Sequence, residues 1–234
     1  MDDDVVADAE ALGILKKHSG PSLAMAPAVK TEDGSIALTH RGNLKPKGLF
    51  PGLQRPLAPE EYEKSQLYID LCSFVGLMVR REAISKIGLP IADFFIYADD
   101  VEYSLRLSSE LGKILLIPAS YLIDRNAKKK AGYIVKNILL FKFKRQPISS
   151  YWRTYYSLRN VLYVSQKYSR NKAFFYIRVM FHLLKSLLTS FPLILTLDDH
   201  KKDRLKIRFL PYIHGLRGVL GKKVEYKNGK IIWH

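Results

Sequence analysis

The sequence predicts an α/β protein whose strands lie in the N-terminal part and whose C-terminal part is a basic, mainly helical extension. Three observations lead there. Leu71 to Val79 is a continuous apolar run fit for a buried strand, and Arg81 to Ile87 follows as a short helix stopped by Gly88 and Pro90. The composition changes near Lys128 to long aromatic and basic segments. Charge divides the same way: residues 1–112 carry 12 basic and 17 acidic side chains, a balance of −5, whereas residues 113–234 carry 26 and 5, a balance of +21. At 234 residues and 47% hydrophobic, the chain has enough apolar material for a core, which excludes disorder and collagen-like repeats. Cys72 is the single cysteine, so no intrachain disulfide forms.

Taken in order, Asp2 to Val6 reads as the end of a strand, and a chain beginning there is expected to lack something upstream. Acidic residues follow Met1 where a secretory signal needs basic ones, so the expected compartment is cytosolic. Asp8 to Lys17 is a short helix with Ala11, Leu12, Ile14 and Leu15 on its apolar side, closed by Gly20 and Pro21. Residues 18–60 are rich in glycine and proline and read as weak strands joined by a long surface loop. Phe94, Phe95 and Ile96 lead into Tyr97-Ala98-Asp99-Asp100 and a helix from Val101 to Leu111, which Gly112 terminates. Ile114 to Pro118 and Ser120 to Ile123 are short β segments. Helices are expected at 131–144, 148–168 and 171–192, the last ending near Pro192, with a charged linker from Asp198 to Lys206. Asn228-Gly229 between two alternating runs signals a terminal hairpin. The expected division is 1–127 and 128–234.

Two acidic clusters invite chemistry. Asp2, Asp3 and Asp4 repel one another unless a cation or donors neutralise them, and hard oxygen ligands suit Mg²⁺ or Mn²⁺; the plain alternative is a solvated terminus. Asp99 with Glu102 three residues on makes a serviceable helix cap, and Glu102 with Arg106 an i, i+4 ion pair. That leaves Asp100 unexplained, and one of two adjacent carboxylates can serve as a general base for a hydroxyl.

The stretch Asp70-Leu-Cys-Ser-Phe-Val-Gly76-Leu-Met-Val-Arg80-Arg81, then Ile87-Gly88-Leu89-Pro90, then Phe94 through Arg106, resembles the acceptor-side half of family 2 glycosyltransferases with the GT-A fold. Within that family it is most similar to rhamnosyl- and galactofuranosyltransferase-like members. Met1 to Val5 is similar to the family's D-x-D metal motif; Tyr155 to Asn160 and Gly215-Leu216-Arg217-Gly218 are further matches in the same order. The resemblance implies the C-terminal part of a GT-A Rossmann-like fold, without the nucleotide-binding βαβ half that precedes the D-x-D strand. It implies that Asp2 and Asp4 hold a Mg²⁺ or Mn²⁺ ion against a donor diphosphate, with Asp3 and Arg106 in the diphosphate region. Asp100 is then the base that deprotonates the acceptor hydroxyl, and Asp99, Glu102 and Asp70 bind the acceptor. Where the family often has a metal-binding His, this chain reads Tyr121-Leu-Ile-Asp124-Arg-Asn126, so Asp124 is the candidate replacement.

Residues 173–191 project as an amphipathic helix with Arg178, His182, Lys185 and Thr189 on one side and a broad apolar arc on the other. The plain reading packs that arc on the catalytic core; the other places the helix at an anionic membrane surface, with Lys128 to Lys130, Lys142, Lys144, Arg145, Arg204 and Arg208 adding charge. Lys201 and Lys202 read as solvated. The expectation is an inverting transferase moving a sugar from a nucleotide-sugar donor to a lipid-linked or polysaccharide acceptor in cell-surface glycan synthesis, peripheral to the cytoplasmic face of the cell membrane. The alternative is a truncated, inactive remnant that binds acceptor or membrane only. No recognisable nucleic-acid module is present, so nucleic acid is not an expected partner.

Overall fold

The computed structural model describes residues 4–18, 20–45, 50–125, 132–138 and 141–234. The elements run β1 (Val5–Ala7), α1 (Ala11–Lys17), β2 (Ala24–Thr31), β3 (Arg41–Leu44), β4 (Gln54–Pro56), β5 (Leu67–Ile69), β6 (Leu71–Cys72), β7 (Met78–Val79), α2 (Arg81–Ile87), α3 (Asp99–Glu110) and β8 (Ile114–Asp124). They continue with β9 (Ile134–Ile138), β10 (Phe141–Arg145), α4 (Ile148–Tyr151), α5 (Arg153–Tyr168), α6 (Lys172–Leu197), α7 (Lys201–Arg217), β11 (Val224–Lys227) and β12 (Lys230–Trp233). The chain is a mixed α/β protein with a curled mixed sheet. It divides into two units. The first comprises Met1–Lys45, Gln54–Ile91 and Asp100–Lys129, and the second Pro46–Leu53, Ala92–Asp99 and Lys130–His234. Where sequence alone suggested one cut at 127/128, two short excursions, 46–53 and 92–99, group with the C-terminal unit.

In the first unit the sheet runs β1-β8-β2-β7, with β5 also paired to β8. β2 and β8 are parallel; β1, β5 and β7 run antiparallel to their neighbours. β2, sequence AMAPAVKT, is buried on both faces, so it is a central strand rather than a weak one. Its small residues and Pro27 conceal this in the sequence. Pro27 has no N–H to give the ladder, and the β2–β8 register shifts between Pro27 and Ala28, where that deficit is absorbed. Ala26, Ala28, Ile69, Ile114 and Leu116 form the core under Tyr103 and Leu107 of α3.

The expected single strand across Leu71–Val79 is instead two short ones on different sheets. β6 pairs with β3, and β7 with β2. Gly76 separates them at φ +74, and a Cβ there would collide with Leu122 and Pro27, so the chain turns where only glycine fits. Conversely, the two short segments after Gly112 are one strand, β8.

The second unit departs from sequence expectation at three places. Ile134–Ile138 and Phe141–Arg145, within a stretch expected to be helical, are the antiparallel strands β9 and β10. Ile134-Val135 are β-branched and Phe141-Lys142-Phe143-Lys144 alternates with period two, patterns that a strand accommodates better than a helix. α6 continues past Pro192 to Leu197, the Thr196 hydroxyl donating to the Pro192 carbonyl at 2.8 Å. The charged stretch after Asp198 starts α7 rather than forming a linker: Arg204 is buried, bonded to Asp199 at 2.7 Å and facing Asp198, which Arg145 also engages. At the tail, Asn228 and Gly229 both have positive φ and turn the β11–β12 hairpin. Tyr155 and Tyr156 of α5, with Ile207 and Val224, make the core; Gly215 of α7 lies so close to Arg159 and Leu162 that a Cβ would sit 2.6 Å from the Arg159 carbonyl.

Candidate functional site

The acidic pair opens α3. Asp100 Oδ1 accepts from the Val101 N–H at 2.7 Å, and both carboxylates are partly exposed in the helix's first turn, where the helix dipole favours negative charge. The approach to the pair is unusual. Phe95, Tyr97 and Ala98 all have φ between 60° and 67°, a region that non-glycine residues enter at a cost of roughly 1–3 kcal/mol each.

Within the second unit, α5 holds that loop. Tyr155, Tyr156, Arg159 and Asn160 fall at i, i+1, i+4 and i+5 and therefore share one face of α5. The Asn160 amide donates to the carbonyls of Phe94 (3.1 Å), Ile96 (2.8 Å) and Tyr97 (2.8 Å). Arg159 donates to Phe94 O (3.0 Å), Gly221 O (2.6 Å) and the Asn160 side chain (2.7 Å), which orients the amide. Both side chains are buried, and burial lowers the Arg159 pKa, with Tyr155 and Tyr156 acting against it. The resemblance over Tyr155–Asn160 implied no task for this stretch. Next to the loop, an open cavity of about 320 Å³ is lined by Tyr97, Gln146, Ser150, Arg153, Thr154 and Ser157.

In the first unit, several candidate residues are engaged internally. Glu102 is buried and pairs with Arg106 at 3.0 Å, while Arg106 also donates to the carbonyls of Ile87 and Leu89. Asp70 accepts from the Leu44 N–H at 3.0 Å and from Lys113 at 3.0 Å. Burial pushes the Cys72 thiol up to about 11; Arg41 opposes this and Asp100 adds to it, so the thiol stays protonated and is no nucleophile at neutral pH.

Asp2 and Asp3 lie outside the described residues, as do Lys128 to Lys130. Asp4 immediately precedes β1, and its carbonyl accepts from Arg125 N–H at 3.1 Å; Val5 pairs across from Asp124. Asp4 and Asp124 thus flank the same end of the β1–β8 ladder. His40 Nε2 lies 3.3 Å from Asp124 Oδ2, and His40 Nδ1 bonds Ser73 Oγ at 2.9 Å. The neighbouring Arg41 is wholly buried and donates to Pro27 O (2.9 Å) and Val75 O (2.6 Å), which fixes the turn that carries His40. His40 brings an imidazole to Asp124 from 84 residues upstream, and no local sequence signal marks it. The donor set is hard carboxylate oxygen, which fits Mg²⁺ or Mn²⁺ held by one or two carboxylates, although no group of three His, Cys, Asp or Glu among the described residues forms a ligand cluster. No family model matches this chain, and no curated protein matches it.

Proposed function

We propose that the chain is part of an inverting, metal-dependent family 2 glycosyltransferase with the GT-A fold, of the rhamnosyl- and galactofuranosyltransferase-like kind. It moves a sugar from a nucleotide-sugar donor to a lipid-linked or polysaccharide acceptor in cell-surface glycan synthesis. The observation that supports the reading is the strained loop ahead of Asp99-Asp100: three left-handed non-glycine residues are held by a buried Arg–Asn pair, and strain of this kind clusters at functional sites.

In this reading Asp100 accepts the proton of the acceptor hydroxyl as its oxygen attacks the anomeric carbon, and the carbon–oxygen bond to the nucleoside diphosphate breaks on the opposite face. Asp99 hydrogen-bonds the acceptor and holds the hydroxyl against Asp100. Asp100 lies in the first turn of α3, where the helix dipole favours the carboxylate that a general base requires. Asp4, with Asp2 and Asp124, would hold the divalent cation, which offsets charge on the departing diphosphate.

A panel of nucleotide sugars, with release of nucleoside diphosphate as the readout, tests this. Turnover is expected with Mn²⁺ or Mg²⁺, to be lost on chelation, and to fall by about 10²–10⁴-fold in Asp100→Asn. Equal turnover in that variant would remove Asp100 as the base. A second reading, a chain that binds acceptor or membrane without turnover, draws on the internal engagement of Glu102, Asp70 and Arg106; it prevails if no nucleotide sugar is turned over.

A further inference from the structure

α6 is amphipathic, but it is packed the reverse way to a core helix. Its inward side is a mixed stripe: Phe175, Val179, Ser186 and Ile194 are buried, Arg178 donates to the Phe50 carbonyl, and the Tyr212 hydroxyl meets His182 Nδ1 at 2.6 Å and Ser186 Oγ at 3.1 Å. Its broad apolar arc faces outward. Met180 is 60% exposed, Phe181 69% and Leu188 78%, and Ile177, Leu184, Leu187, Phe191 and Leu195 are exposed as well. Among the described residues this is the one helix long and apolar enough to cross a membrane, yet only 17% of its apolar stretch is buried. The exposed arc runs from Phe174 to Leu195, roughly 30 Å along the axis at 1.5 Å per residue. An apolar surface that long is far beyond the isolated exposed side chains normal on a soluble protein.

The surroundings identify what covers it. Exposed basic residues bracket the arc: Arg170 before the helix, Lys185 at i+4 from Phe181, and Lys201 and Lys202 just past the C-terminal end. The second unit as a whole has 23 basic and 6 acidic side chains, a balance of +17. A second copy of so basic a unit would repel this one, whereas an anionic surface attracts it. Crossing the bilayer is disfavoured because Arg178, His182 and Ser186 are bonded into the unit along the helix's other side.

We infer that α6 lies in the plane of an anionic lipid surface, with Met180, Phe181, Leu184 and Leu188 among the acyl chains and Arg170, Lys185, Lys201 and Lys202 at the headgroups. This is independent of glycosyl transfer, because neither Asp100 nor any candidate metal ligand takes part. Flotation of the full chain with phosphatidylcholine vesicles, with and without phosphatidylglycerol, tests it. The chain is expected to float with the anionic vesicles, to be released by high salt or alkaline carbonate, and to lose about tenfold or more of its binding in the triple variant Met180→Ser, Phe181→Ser, Leu188→Ser. Those side chains are exposed, so the variant is expected to keep the parent's thermal midpoint. Failure to float, equal flotation of the triple variant, or equal binding to neutral vesicles overturns the inference. Carbonate resistance overturns the in-plane mode in favour of a spanning one. A dimer that the triple substitution converts to monomer, without vesicle binding, assigns the face to a second copy.

Discussion

At the scale of single residues, the most consequential side chain outside the acidic pair is Asn160. Its amide serves three carbonyls of one loop, and two of them, those of Ile96 and Tyr97, lie within the left-handed stretch Phe95 to Ala98. Removing it leaves those carbonyls short of a donor beside residues already held against their backbone preference. Asn160→Ala is therefore expected to destabilise the second unit by about 1–3 kcal/mol in urea, read by tryptophan fluorescence, since Trp152 and Trp233 both lie there. A change within about 0.5 kcal/mol would mean that Arg159 and the helix hold the loop unaided.

At the scale of elements, the α6–α7 and α5–α7 pairings each include a histidine–tyrosine hydrogen bond. His182, bonded to Tyr212, has its pKa lowered chiefly by burial and further by Arg208 and Lys185; His214, bonded to Tyr155, is lowered by burial and then by Lys223, Arg159 and Arg217. Because the folded values lie below the ordinary 6.5, the unfolded chain binds more protons in the window beneath it. The stabilisation is present above that pH and is lost as pH falls. The urea midpoint of the second unit is expected to fall between about pH 7 and pH 5, and His182→Gln to flatten that slope. A midpoint independent of pH over this range would show that both rings stay paired when protonated.

At the scale of the whole molecule, all of the net positive charge belongs to one unit: the total of +16 is +17 on the second and −1 on the first. Self-repulsion of that size is screened as the Debye length shortens. Raising salt from about 20 mM to 200 mM is expected to raise the tryptophan-detected thermal midpoint, while a fall would mean that ion pairs such as Arg145–Asp198 and Arg204–Asp199 outweigh the repulsion.

By itself the sequence determined what depends on neighbours in the chain: α2 with its Gly88 stop, the α3 helix with its Glu102–Arg106 pair, the Asn228-Gly229 hairpin and the division of charge. Each rests on a spacing of four residues or fewer, or on a count. Tertiary structure decided the rest, because the deciding partners are distant. β2 is central only because β8 and β7 flank it, and the Leu71–Val79 run breaks only because Leu122 and Pro27 leave no room for a Cβ at Gly76. The same holds for the candidate site: His40 meets Asp124 across 84 residues, and Arg159 and Asn160 reach back more than 60 residues to the loop ahead of Asp99. Which side of α6 faces outward was also undecidable from periodicity, since an amphipathic pattern shows that two faces differ and leaves open which of them is buried.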